Sequence, residues 1–294
     1  MNKELNIESF EGETTFIVGS DKHAGKTTFL NYVLRNIAGS VTDYIYLSIG
    51  IDGEGSDVLT GMPKPKIYAE TGAYIITTES ALRLSDALLE IHEVLNIKTQ
   101  LGYLVLVKVL RPGYIELVGP ETNSQLENLI SRLREEFGIK TIFVDGAVDR
   151  LSQVTTAEGS EFVYVLSVTP QNLSRVIEKA SQVYLLSTVK TLQQKDQAEE
   201  CYTTDGLLNK QALQLIPEGT KNILVNDLSS VFMSFLELKN FFGRYNLYYK
   251  KEYFLKHFIV NLKDVTKKVF LEELNKKVDL NDELIIFNPY ETGI

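Results

Sequence analysis

Phe16-Ile17-Val18-Gly19-Ser20-Asp21-Lys22-His23-Ala24-Gly25-Lys26-Thr27-Thr28-Phe29-Leu30 is the stretch that decides the reading of this chain. The apolar run over residues 14–18 predicts a buried strand, and a glycine-bounded loop follows it. Residues 26–37 predict a helix, because Phe29, Leu30, Val33, Leu34 and Ile37 recur at spacings of three and four. Strand, glycine loop, Gly-Lys-Thr and helix, in that order, form the pattern of a phosphate-binding loop. The backbone N–H groups of such a loop and the N-terminus of its helix face phosphate oxygens. Gly19, Ser20, Asp21, Lys22, His23, Ala24, Gly25, Lys26, Thr27 and Thr28 are therefore the cofactor-binding candidates. The Lys26 ammonium would reach the β- and γ-phosphates and act in catalysis, and the Thr27 hydroxyl would bind Mg2+. His23 reads more readily as a solvated loop histidine than as a phosphate ligand.

Composition sets the outer bounds. At 294 residues, with 44% hydrophobic and 23% charged residues, the chain has the make-up of an ordinary globular protein with one large domain or two modest ones. A net charge of −9 argues against a broad nucleic-acid surface. The single Cys201 excludes an intrachain disulfide and a cysteine-built zinc site, and it fits a reducing, cytoplasmic compartment. Residues 1–13 are polar and acidic, unlike a signal peptide, and no apolar run approaches the roughly 18 residues of a membrane span.

Taken in order, residues 44–51 predict a second strand, so a βαβ unit and a parallel sheet are expected. Asp52, Glu54 and Asp57 follow it, and Asp52 is the first candidate to orient an attacking water. Lys64 and Lys66 lie in a proline-punctuated loop and read as solvated charges. Residues 66–68 and 73–78 predict a hairpin around Glu70-Thr71-Gly72, and residues 80–95 an amphipathic helix capped by Ser80. Residues 101–110 and 114–118 predict an antiparallel ribbon turning at Pro112-Gly113. A helix over 123–137 precedes Thr141-Ile142-Phe143-Val144-Asp145, an apolar strand ending in a carboxylate. Placed beside the phosphate loop, Asp145 would hold Mg2+ directly or through water. A strand over 162–167, a helix over 169–180 and a linker at 193–200 come next. Residues 222–226 and 247–260 predict strands, residues 231–242 and 265–274 helices, and residues 284–287 a final strand. The expected fold is an α/β, mostly parallel sheet of a P-loop NTPase with flanking helices. It is divided into a nucleotide-binding domain over 1–192 and a smaller C-terminal α/β unit over 193–294, which could pack on the same sheet.

The loop departs from the common Gly-x4-Gly-Lys-Thr form, since Ser20 stands where that form has its first glycine. Gly19-x5-Gly25-Lys26-Thr27 with Asp21 resembles the loop of the dethiobiotin synthetase branch, near the MinD-like and metallochaperone NTPases. Further phrases stand beside it: Ser48-Ile-Gly-Ile-Asp52-Gly-Glu54, Lys64-Pro-Lys-Ile-Tyr68, Thr99-Gln-Leu-Gly-Tyr-Leu-Val-Leu-Val-Lys108, Gly113-Tyr-Ile-Glu-Leu-Val-Gly-Pro120, Asn123-Ser-Gln-Leu126 and Val144-Asp-Gly-Ala-Val-Asp-Arg150. Together they resemble the smaller subunit of the lysine 5,6-aminomutase and ornithine aminomutase reactivases over residues 14–190. The resemblance implies an ATP-dependent accessory protein. Its partners would be a MutS-like ATPase subunit and an adenosylcobalamin-dependent aminomutase, whose damaged cobalamin it would help exchange. The chain departs from that family at residues 151–161 and in the strand ending Leu166-Ser-Val-Thr-Pro170.

Three functions are thus in view: a slow ATPase that remodels a partner, a small-molecule ligase or kinase of dethiobiotin synthetase type, and a module that holds nucleotide without hydrolysing it. ATP is favoured over GTP, because the Asn-Lys-x-Asp pattern of GTPases is missing. Asn209-Lys-Gln-Ala212 lacks the aspartate and Asn261-Leu-Lys-Asp264 has the wrong order. No arginine is obviously placed as a finger: Arg111 and Arg150 are the candidates in this chain, and a partner could supply one instead. No nucleic-acid or membrane partner is expected, and self-association into a homo-oligomer stays open.

Overall fold

A computed structural model describes residues 5–49, 67–148, 154, 159–192, 201–204 and 206–291. The first half contains β1 (Thr14–Gly19), α1 (Lys26–Ile37), β2 (Tyr44–Ser48), β3 (Ile67–Ala69), β4 (Tyr74–Thr78), α2 (Glu79–Arg83), β5 (Leu88–Thr99), β6 (Gly102–Arg111), β7 (Gly113–Ile115), α3 (Asn123–Glu135) and β8 (Thr141–Val148). The second half contains β9 (Glu161–Val168), α4 (Leu173–Ser187), β10 (Lys190–Thr191), β11 (Cys201–Thr203), β12 (Asn222–Val225), α5 (Phe235–Phe242), β13 (Asn246–Tyr249), β14 (Phe254–Leu262), α6 (Lys267–Asn275) and β15 (Ile285–Phe287).

The protein is α/β. Nine strands form one mostly parallel sheet in the order β15-β14-β9-β1-β8-β2-β4-β6-β5. Every pairing from β15 to β4 is parallel, and only β4–β6 and β6–β5 are antiparallel. β1 is buried along its whole length, because the sheet is covered on both faces. The pleat sends alternate side chains to opposite cores. Ile17, Tyr46, Phe143 and Val163 join Phe29, Leu30, Val33 and Leu34 of α1 on one face. Phe16, Val18, Leu47, Val144 and Tyr164 join α3, α4 and α6 on the other. The same core runs on through Val225, Phe241 and Leu247 to a second, wholly parallel sheet, β10-β13-β12-β11. β14 and β15 return to the main sheet, so the residues after 200 are shared between both sheets.

Several local expectations are corrected by long-range pairing. The helix expected over 80–95 is only α2, capped by Thr78 rather than Ser80, and residues 88–99 form strand β5 against β6. Ile91, Val94 and Ile97 are β-branched, and their spacing suits a bulged edge strand once β6 supplies a partner. The expected hairpin of residues 66–78 does not form: β3 pairs with β7, and β4 lies between β2 and β6. For the same reason β6 and β7 are not a ribbon, and the chain changes sheets at Pro112. The helix expected from Thr169 starts at Leu173, because the Asn172 side chain closes the preceding turn onto Thr169 N and Ser167 O. β8 does not end at Asp145 but continues to Val148. The expected linker at 193–200 lies outside the described residues.

Candidate phosphate-binding site

In a parallel sheet all strand C-termini share one edge, and the loops there gather above it. β1 lies between β8 and β9, so the loop over residues 20–25 sits at the middle of that edge. Ser20 N donates to Val165 O at 3.0 Å, which carries the β1–β9 pairing one residue past the strand, and Ser20 is fully buried. The chain then reverses through two residues of left-handed backbone, His23 at φ 62° and Gly25 at φ 100°. Glycine is needed at 25 twice over. Its φ disfavours a side chain, and a Cβ there would lie 2.8 Å from Asn261 Nδ2. That same Nδ2, near the end of β14, donates to Ala24 O at 2.9 Å and fastens the loop to the sheet.

Lys26 folds back over the start of this loop. A Cβ built on Gly19 would lie 3.0 Å from Lys26 Cγ and 3.2 Å from its Cδ, so the absent side chain at 19 is the space the lysine stem occupies. Lys26 and Thr27, on the first turn of α1, are half-buried, while Lys22, His23 and Thr28 are exposed. α1 has Gly25 as its N-cap and receives no side-chain capping bond. By contrast α3 and α5 carry full capping boxes, Thr122 with Gln125 and Ser234 with Glu237. An uncapped first turn leaves backbone donors and the positive end of the helix dipole for an anion.

Two cations from α4 grip the loop from the side. Arg175 meets Asp21 with both prongs, Nη1 to Oδ1 at 2.7 Å and Nη2 to Oδ2 at 3.0 Å, and Lys179 Nζ donates to Ser20 O at 2.8 Å. Burial raises the Asp21 pKa, but the Arg175 hydrogen bonds and the charges of Lys179 and Arg175 outweigh it, so the carboxyl ends below its ordinary 3.8. Asp145 stands one strand away, opposite Ile17 of β1 and Ser48 of β2, with its Oδ1 shielded from solvent. Gly119 packs so tightly on the end of β2 that a Cβ there would fall 1.6 Å from Ser48 O.

Residues 19–28 lie at the C-terminal edge of the sheet, whereas Asp145 pairs with Ile17, two residues before Gly19 ends β1, and β8 runs on to Val148. Asp52, Glu54, Asp57, Lys64, Lys66 and Arg150 lie outside the described residues. Arg111 ends β6 in the antiparallel part of the sheet, away from the loop. Sequence reasoning missed Arg175, Lys179 and Asn261. The first two were findable as an i, i+4 pair of cations on the helix after an apolar strand. Asn261 was considered only as part of a base-recognition pattern, whereas its visible work is to hold Ala24. Among the described residues no group of three or more His, Cys, Asp or Glu could hold a metal alone, and no helix is long and apolar enough to cross a membrane. A cleft of about 270 Å³ is lined by Thr188, Lys190, Phe242 and Tyr245 beside the second sheet, not by the glycine loop. No family model, curated protein or solved structure matches the chain.

Proposed function

We propose that the chain binds a magnesium nucleoside triphosphate, ATP in preference to GTP, at residues 19–28 and serves as a nucleotide-driven accessory subunit. The observation that carries this reading is Lys26 folded over Gly19 at the uncapped start of α1, on the central strand of a parallel sheet. Backbone N–H groups of the loop donate to the phosphates, and the Lys26 ammonium neutralises the β- and γ-phosphate charge. The Thr27 hydroxyl and the Asp145 carboxylate are hard oxygen donors of the kind Mg2+ takes, and the phosphates and water would complete its shell. Bound Mg2+ would offset the charge that builds up on the phosphate oxygens during transfer. Asp52 is the proposed water-orienting group. The partners, a MutS-like ATPase subunit and an adenosylcobalamin-dependent aminomutase, rest on the resemblance of residues 14–190, and the reactivase role rests on the same ground.

The test is nucleotide binding and turnover by wild type and Lys26→Ala, each alone and with an aminomutase and its second ATPase subunit. We expect binding by the wild type, at least a tenfold loss in Lys26→Ala, and turnover stimulated by the partner proteins. Binding without turnover under every condition supports the nucleotide-holding module instead, and turnover that needs a small carboxylate supports the ligase. No binding by the wild type removes the nucleotide reading altogether.

A further inference from the structure

The Asp21–Arg175 pair has a property that an ordinary structural brace lacks: it places a carboxylate inside a loop built to receive anions. A carboxylate and a phosphate present the same two-oxygen edge to a guanidinium, and Arg175 engages Asp21 in that two-pronged manner, at 2.7 and 3.0 Å. We propose that Asp21 is an internal stand-in for phosphate, holding Arg175 beside the loop until the terminal phosphate of a bound nucleotide takes its place. The proposal rests on the nucleotide reading above and gives that site a further phosphate-contacting residue, Arg175, together with a built-in competitor for it.

Three features support the exchange. α4 is a fixed platform, with Val176, Ile177, Ala180 and Val183 buried, so Arg175 holds its place in the backbone while its side chain moves. The Arg175 side chain is 53% exposed and that of Asp21 is 29% exposed, so the guanidinium can swing without opening the core. Lys179, one helical turn on, bonds the backbone at Ser20 rather than the carboxylate, so the loop stays attached to α4 when the ion pair opens. Burial works against the charged form of Asp21, but the Arg175 hydrogen bond and the Lys179 charge lower its pKa, so the resting pair holds a carboxylate. Its negative charge opposes the triphosphate, and Arg175 cancels that charge in the resting pair.

The exchange makes the two ends of one ion pair behave oppositely, which a brace does not. Removing Asp21 takes away the carboxylate that competes with phosphate for Arg175 and removes a repelling charge. Removing Arg175 takes away a phosphate ligand and leaves the loop carboxylate without its two-pronged cation, with the Lys179 charge and the Ser20 hydroxyl beside it. The experiment is a titration of the full chain with MgATP, comparing wild type, Asp21→Asn, Arg175→Ala and Lys26→Ala, with thermal melting to confirm that each variant is folded. Asp21→Ser replaces Asp21→Asn if the latter does not fold. We expect Asp21→Asn to tighten binding about fivefold and Arg175→Ala to weaken it about tenfold, the scale of one charge-assisted hydrogen bond. The proposal is overturned if both substitutions move affinity in the same direction or if neither moves it. In that case a wild type that binds and a Lys26→Ala that does not leave the nucleotide site standing, with Asp21–Arg175 a brace only. If the wild type binds no nucleotide, the site and the exchange fall together.

Discussion

The two edges of the central sheet are held by ion pairs of opposite character. At the N-terminal edge, Lys256 Nζ donates to Glu161 at 2.6 Å and to Ser9 O at 2.7 Å, over the face of Phe10, with both charged side chains less than a fifth exposed. Gly12 N bonds Thr141 Oγ1 and Arg134 bonds Thr14 Oγ1 at the same edge, so it is closed by direct hydrogen bonds. At the C-terminal edge the chain reverses through left-handed residues, and the Asp21–Arg175 pair is half in solvent. A buried pair must stay made, because either charge left alone in the interior is costly. A half-exposed pair can open, because water takes up what each partner gives up. One edge is therefore built to hold the strands and the other to exchange contacts.

This contrast can be broken by substitution. Lys256→Ala strands Glu161 at the closed edge, and a loss of about 3–5 kcal/mol is expected in urea unfolding. A loss below 1 kcal/mol would show that the N-terminal edge is not the stabilising one. Gly25→Ala at the open edge forces a side chain into left-handed backbone and against Asn261, for a loss on the order of 1–2 kcal/mol. Its effect should be concentrated in the loop, and hydrogen exchange would read it there more strongly than at β14. The smallest effect belongs to Arg175→Ala, for which the half-exposed pair predicts less than about 1 kcal/mol. The sign with pH follows from the lowered Asp21 pKa: the pair's contribution is present above pH 3.8 and is lost as pH falls through the still lower folded value. Wild type and Arg175→Ala should therefore converge in stability only in strong acid, and convergence near neutrality would refute the assignment.

The glycine loop was legible because everything that makes it is local. β1, the loop and α1 are consecutive, and a left-handed glycine, a lysine and a threonine occur in the order their geometry requires. α3 was legible for the same reason, since its 3.6-residue period is written within a few turns, whereas α5 starts at Phe235 rather than at 231 because Ser234 and Glu237 form its capping box. β5 was not, because residues 82–95 carry apolar spacings that suit a helix until β6 is there to pair with. Arg175, Lys179 and Asn261 meet the loop across 154, 159 and 237 residues; the i, i+4 spacing of the two cations is local, but the loop they reach is not written near them.

By itself, then, the sequence determined the class of fold and the place of its glycine loop, since apolar runs, glycines and caps act over a few residues at a time. The tertiary structure alone decided the strand order, the edge at which β14 and β15 rejoin the sheet, and the cations that surround the loop. Those depend on which hydrogen-bonding edges and buried faces find one another once the chain collapses, a choice made among segments far apart in sequence.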